Sequence, residues 1–332
     1  MKLDFLKKQA ERAILKMIDS YNRDINYLRV SVTKRCNLNC SYCGAKKEGG
    51  EELTPLQIEK AVRAFAACGI IKVRLTGGEP LVRQDIIEIA QRISGIEGIK
   101  KLALTTNGIF LKRYAEELKY AGVTAINISL DTTDKEQFRA ITGYDGLDRV
   151  FEGIDECERV GLSPIRLNAV LTKGKNEKQA GSLISIAKER KIDVRFIELM
   201  PFSADGEKNE LVVKGEEILK SFPELKPFVK EGATDFEKSV AKYYTAAGYR
   251  GRIGFITPVS NRFCSECNRI RLLSDGKIKP CLGNDAVYDI MNLIDNEEEL
   301  KKEIEKIIMS KPREHSFNCG YGNHHGLNLI GG

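Results

Sequence analysis

Over the first two-thirds of this chain, six short β-branched or apolar runs alternate with amphipathic stretches long enough for helices. The runs are Tyr27–Thr33, Lys72–Thr76, Lys101–Thr105, Thr124–Leu130, Ile165–Leu171 and Asp193–Leu199. The stretches between them are Pro55–Ala67, Gln84–Ile93, Leu111–Ala121, Leu147–Val160 and Glu177–Arg190. Thr54-Pro55-Leu56-Gln57 is a helix start: Thr54 can cap, Pro55 suits the first turn, and Gln57 completes a capping box. Gly69, Gly122 and Gly161 follow helices, where left-handed caps are wanted. This alternation predicts a parallel sheet with right-handed crossovers, as a barrel or as a doubly wound sheet. In both, ligands collect at the C-terminal ends of the strands.

Polar and glycine residues fall at those ends. They are the loop after Thr33, then Thr76-Gly77-Gly78-Glu79-Pro80, Thr105-Thr106-Asn107-Gly108, Ser129-Leu130-Asp131, Asn168 with Lys173, and Glu198-Leu199-Met200. The loop after Thr33 carries Cys36, Cys40 and Cys43 in a C-x3-C-x2-C spacing. Three thiolates can hold three irons of a four-iron cluster and leave the fourth open, which marks a catalytic rather than a closed structural site. A structural zinc wants four ligands, and this half of the chain offers no second cysteine pair. Gly77 and Gly78 let the backbone come close to a small ligand, and Glu79 is placed to steady an amine.

Composition narrows the class. The 332 residues are 42% hydrophobic and 30% charged, as in an ordinary globular protein. The net charge of +6 is spread along the chain, which argues against nucleic acid as a partner. No stretch reaches the length of a membrane span. The start, Met1-Lys2-Leu3-Asp4-Phe5-Leu6-Lys7-Lys8, lacks an apolar signal core and reads as an amphipathic helix to about Ser20. Nine cysteines, unevenly grouped, favour metal binding in a reducing cytoplasm over a disulfide scaffold. Cys68 and Cys157 read as small core residues.

After Met200 the pattern changes to charged, weakly periodic sequence, placing a domain boundary near residue 215. The two parts are then 1–215, with the N-terminal helix, and 216–332. The second part holds Cys264, Cys267 and Cys281 in a C-x2-C-x13-C spacing, with Arg269 and Arg271 beside them. A second open cluster that takes substrate fits this group. So does a structural zinc completed by Cys319 or a histidine. The arginines would supply charge-assisted donors to an anion. A charged helix over Glu297–Ile308 leads into a Gly-, Asn- and His-rich tail.

The cysteine loop with Tyr42 before its last thiol, followed by Gly77-Gly78-Glu79-Pro80, resembles the radical S-adenosylmethionine superfamily. The likeness to one family within it, the GTP 3′,8-cyclases of molybdenum cofactor biosynthesis, runs over nearly the whole chain. It includes Tyr27–Thr33, Val73–Leu81, Asn127–Asp131, Arg195–Met200, Gly254-Phe255-Ile256, Phe263–Arg271, Pro280-Cys281-Leu282, Lys311-Pro312 with His315, and the terminal Gly331-Gly332. The resemblance implies an incomplete (βα) barrel of the TIM type with about six βα units and a smaller C-terminal α+β iron–sulfur domain. It implies two [4Fe-4S] clusters and S-adenosylmethionine as cofactors, and GTP as substrate. The 5′-deoxyadenosyl radical removes the ribose 3′ hydrogen, and the sugar radical closes on guanine carbon 8 to give 3′,8-cyclo-7,8-dihydro-GTP.

The implied roles transfer residue by residue. Cys36, Cys40 and Cys43 hold the first cluster. Tyr42, Gly78, Ser129 and Met200 contact S-adenosylmethionine. Arg29, Arg74, Thr105, Arg166, Arg269, Ile270 and Arg271 contact GTP, with Lys72 and Arg195 adding charge. Cys264, Cys267 and Cys281 hold the second cluster, whose open iron takes the guanine. No residue is assigned as acid or base. The terminal glycines enter the active site. A low-potential donor such as flavodoxin or ferredoxin supplies electrons, cyclic pyranopterin monophosphate synthase receives the product, and homodimerisation is left open. The chain departs from the family at Arg166, where lysine is usual, at Gly44-Ala45 in place of Met-Pro, and at His325 and Leu327 in place of an Arg-x-Met pair. Two other readings fit parts of the pattern: a peptide-modifying radical enzyme, and a non-catalytic zinc or iron–sulfur module.

Overall fold

The computed structural model describes residues 16–43, 51–200, 209–229 and 240–317. Strands β1 (Tyr27–Ser31), β2 (Lys72–Thr76), β3 (Lys101–Thr106), β4 (Ala125–Ser129), β5 (Ile165–Val170) and β6 (Ile192–Ile197) are parallel and stand side by side in chain order. A doubly wound sheet would reverse its order at a switch point. Sequential order instead puts every crossover helix on one face and leaves the other face free, which is the partial barrel.

Both edges of the six-stranded unit are extended by the C-terminal part. Strands β7 (Lys226–Phe228), β8 (Lys242–Thr245) and β9 (Ile253–Ile256) form a meander whose β9 lies parallel to β6. At the opposite edge β10 (Arg269–Leu272) lies parallel to β1, followed by β11 (Lys277–Lys279) and β12 (Tyr288–Asp289). The order β12-β11-β10-β1-β2-β3-β4-β5-β6-β9-β8-β7 does not close on itself among the described residues.

The helices are α1 (Pro55–Ala67), α2 (Ile86–Ser94), α3 (Leu111–Tyr120), α4 (Lys135–Thr142), α5 (Leu147–Val160), α6 (Ala180–Glu189), α7 (Gly215–Ser221) and α8 (Glu297–Met309). The Thr54–Gln57 capping box forms, and Gly69, Gly122 and Gly161 take positive φ. Outward strand residues meet these helices. Leu28, Val30, Val73, Leu75, Leu104, Ile126, Ile128, Leu167 and Val194 are fully buried, each stabilising by about 1.5–3 kcal/mol. Cys68 and Cys157 are buried in this core, as expected.

Two helices are absent from the sequence expectation, α4 and α7. α4 is eight residues long and buries Phe138 and Thr142, too few for a visible period. Its cap, Asp134 accepting from the Gln137 amide, and Gly143 at left-handed φ were the available signals. The N-terminal helix expected to run to about Ser20 is corrected over its last residues: Ile18 bridges Asp24 across a tight turn with Asn22 at φ 61°. The Asp19 carboxylate accepts from the Tyr21 and Arg23 amides, giving the backbone a local alternative to helix. Residues 1–15, Gly44, Ala45, Cys319, His324, His325, Leu327, Gly331 and Gly332 lie outside the described residues.

Candidate active site

Residues alternate across a strand, so register decides which side chains share the free inner face. Tyr27 and Arg29 on β1 align with Lys72 and Arg74 on β2, and with Arg269 and Arg271 on β10. Asn127 on β4 aligns with Arg166 on β5, and Asn168 with Arg195 on β6. Thr105 aligns with Asn127. The sequence-predicted cations therefore converge on one surface, although they come from five separate segments. Ile270 is the exception. It pairs with Leu28 on the outer face and is fully buried there, so only its backbone belongs to the inner face.

The cations crowd one another. Burial lowers Arg29 to about 9, opposed by Tyr27 and reinforced by Arg271 and Arg74. Burial also lowers Lys72 to about 8 and Arg166 to about 10. Burial pushes the Tyr27 phenol up, but Arg74, Arg29, Lys72 and Arg269 together override it and bring it down to about 7. Arg74 Nε donates to the Tyr27 hydroxyl, and the Lys72 ammonium lies 4.5 Å from the ring centroid. Asp193 meets this group, yet it is held by Arg252 at 2.6 Å and stands 3.9 Å from Arg166. Arg166 Nε, Arg271 Nε, Asn127 Oδ1 and Asn168 Oδ1 are buried without a hydrogen-bond partner. Buried donors and acceptors are rarely left unpaired, so their exposure to the inner face marks a ligand space. Sequence reading missed Tyr27 as part of it.

The first thiol group sits above the C-terminal end of β1. The Asn39 and Ser41 amides donate to the Thr142 and Ile141 carbonyls, docking the loop on the end of α4. The Tyr42 hydroxyl donates to buried Asp131 at 2.6 Å, and Asp131 also accepts from the Val170 amide. Leu38, Cys40, Tyr42, Asn107, Ser129 and Asp131 line a cavity of ≈ 30 Å³. Burial pushes the Cys36 thiol up to about 11, against the Leu38 amide that donates to its sulfur. Burial raises Cys40 further, with Asp131 adding to it. Gly78 is wedged against the loop, since a Cβ there would lie 2.2 Å from the Arg35 carbonyl oxygen.

Two expectations at this end are corrected. Glu79 is not free to meet an amine. Its carboxylate accepts from the Leu81 and Asn107 amides and the Thr106 hydroxyl, and burial raises it to about 7. It fixes Asn107, whose Nδ2 donates to Asn37 and lies 4.0 Å from the Cys36 sulfur. Lys173 turns away from the mouth to pair with Glu217 at 3.0 Å.

The second thiol group lies at the other end of the same face. Cys267 is two residues before β10, and Cys281 is two residues after β11. β1 lies between the two groups, and its five residues span roughly 16 Å at about 3.3 Å per residue. Burial raises Cys267, but Lys311, Arg269 and Arg271 override it and bring the thiol down to about 7. Met200, which follows β6, packs against Phe317 together with Val259 and Leu282.

Among the described residues no three His, Cys, Asp or Glu side chains cage a single ion, and no described cysteine is in a disulfide. A cubane takes one thiolate per iron, so its thiols stand apart around a body rather than converge on a point. The absence of such a cage among the described residues is compatible with that demand.

The Radical SAM superfamily profile matches residues 30–186, and the Molybdenum Cofactor Synthesis C profile matches residues 192–317. The superfamily carries a four-iron cluster and S-adenosylmethionine. A GTP 3′,8-cyclase of Alkaliphilus oremlandii is 44% identical over 325 residues, covering 95% of this chain and 100% of the relative. That of Peptoclostridium acidaminophilum is 41% identical over 311 residues, covering 92% and 94%. Among solved structures, Streptococcus suis SuiB bound to S-adenosylmethionine superposes with a TM-score of 0.60 at 17% identity, covering 94% of this chain and 78% of that one. That likeness speaks to the fold. Matched in sequence over more than nine-tenths of its length, the chain belongs to the GTP 3′,8-cyclase family.

Proposed function

We propose that this protein cyclises GTP between ribose carbon 3′ and guanine carbon 8, with residues 1–215 generating the radical and residues 216–332 receiving the nucleotide. The observation that carries this reading is the cationic inner face strung between two thiol groups, with buried donors left unpaired along it. Cys36, Cys40 and Cys43 would hold the cluster, which would supply the electron for reductive cleavage of S-adenosylmethionine and with it the radical chemistry at the ribose.

The chain's own part is placement. The Tyr42 backbone, Gly78, Ser129 and Met200 line the cofactor's side of the space. Arg29, Arg74, Arg166, Arg269 and Arg271 share the triphosphate charge, with Thr105 and the Ile270 backbone as neutral contacts. Arg166 keeps the charge of the family's usual lysine and adds planar donors. Cys264, Cys267 and Cys281 would hold a second cluster on the side that receives the base. Electrons come from a low-potential carrier such as flavodoxin or ferredoxin, and the product goes on to a synthase that rearranges it. Among the described residues no helix is long and apolar enough to cross a membrane.

The test is anaerobic incubation of the reduced, iron-loaded protein with S-adenosylmethionine, with and without GTP. Release of 5′-deoxyadenosine should rise several-fold with GTP, and Cys264→Ala should lose cyclised product more than cofactor cleavage. Cleavage that ignores GTP sinks the assignment.

A further inference from the structure

The arms of the second thiol group are held by two buried cations, Lys311 and Arg23. Lys311 is 2% exposed, and its ammonium donates to the carbonyls of Arg269 at 2.9 Å and Pro280 at 2.6 Å. Arg269 follows Cys267 by two residues and Pro280 immediately precedes Cys281. One side chain thus ties together two arms of the loop that lie far apart in sequence. Arg23 takes the remaining arm. Its Nη1 donates to the Cys264 carbonyl at 3.0 Å and the Arg313 carbonyl at 2.9 Å, and Nη2 donates to Pro312 at 2.8 Å. Asp19 grips the same guanidinium at 2.7 Å, which gives the turn over residues 18–24 its purpose.

The two thiol groups have different neighbours. The first lies beside the Tyr42–Asp131 hydrogen bond and beside Asn107, which Glu79 fixes. The second is backed by the Lys311 ammonium on the Arg269 and Pro280 carbonyls, with Arg269 and Arg271 following Cys267 in the chain. Burial makes such charges count, because little water screens them.

We propose that Lys311 and Arg23 are positioning residues for a cluster on Cys264, Cys267 and Cys281: they set the three arms at cluster spacing and bias that cluster toward its reduced state. The proposal rests on the two-cluster reading above. A fixed cation stabilises the more negative oxidation level, so the second cluster takes up an electron more readily than the first. Lys311 and Arg23 act through the loop and its field, not on the substrate.

The experiment uses Lys311→Met, Arg23→Gln and, as control, Lys302→Met, which removes an exposed lysine on α8. Each full-length protein is reconstituted anaerobically, its iron is counted, and its clusters are titrated with a reductant under electron paramagnetic resonance. Wild type and Lys302→Met should carry about eight irons per chain. Lys311→Met and Arg23→Gln should fall toward about four, or keep the second cluster at a lower potential. In either case cofactor cleavage without GTP is retained. Unchanged iron and an unchanged second potential in both variants overturn the proposal. If Lys311→Met does not fold, Arg23→Gln decides by the same readings. A wild-type protein with only about four irons would instead refute the two-cluster reading.

Discussion

Arg29 on β1 stands directly beside Arg74 on β2, in register across a parallel ladder, with Arg74 buried and Arg29 half-buried. Two like charges so placed repel, and burial strengthens the repulsion. A polyanion between them relieves it. GTP at about a hundred times its Kd should stabilise the folded protein by roughly 2.7 kcal/mol. Arg74→Met removes a charge-assisted bond, which costs on the order of 1.5–3 kcal/mol of binding. Thermal melts with and without GTP should show a large shift for the wild type and a small one for the variant. Equal shifts would remove Arg74 from the nucleotide site.

Tyr27 should titrate far below an ordinary tyrosine. Its folded value of about 7 lies under the usual 10.0, so its ionised form contributes stability in full above pH 10 and loses it as the pH falls through about 7. Near-ultraviolet titration of wild type minus Tyr27→Phe isolates this phenolate. Bound GTP brings negative charge against it and should move the inflection upward. A phenol that titrates near 10 without nucleotide contradicts the crowded-cation account.

Tyr42→Phe leaves one oxygen of buried Asp131 without its donor. The cost should be about 1–3 kcal/mol in denaturant unfolding of the metal-free protein. The loop that carries Cys40 and Cys43 also loses its tether, so iron retention at the first cluster should fall with it. Unaltered stability would mean that this hydrogen bond holds nothing.

Gly78→Ala drives a methyl group to 2.2 Å from the Arg35 carbonyl, a backbone atom that cannot yield alone. The cysteine loop must shift. S-adenosylmethionine binding, read by equilibrium dialysis, should drop at least ten-fold. Gly174→Ala, where nothing lies within 4 Å, should leave it unchanged despite a strained φ of +73°.

The barrel was legible because its signal is local and repeated: each outer strand residue is apolar, and each inner end is polar or glycine. α4 was not, because eight residues with two buried side chains carry little periodicity. The arginines were legible as charges, but only the register of β10 against β1 brings Arg269 and Arg271 beside Arg29 and Tyr27. That pairing joins residues more than two hundred positions apart, and no local pattern encodes it. Glu79 misled for the same reason. Its motif advertises a carboxylate at a strand end, while Thr106 at the end of the next strand and Asn107 just after it consume it. Lys311 and Arg23 act by donating to main-chain carbonyls, which every residue has, so nothing in the sequence announces their targets.

The most direct measurement follows one hydrogen atom. GTP carrying deuterium at ribose carbon 3′ is turned over anaerobically with the reduced protein, and the 5′-deoxyadenosine is weighed by mass spectrometry. One deuterium transferred into 5′-deoxyadenosine is the predicted result. 5′-Deoxyadenosine that forms without deuterium, while the recovered GTP keeps its label, would contradict the placement of the ribose between the two thiol groups.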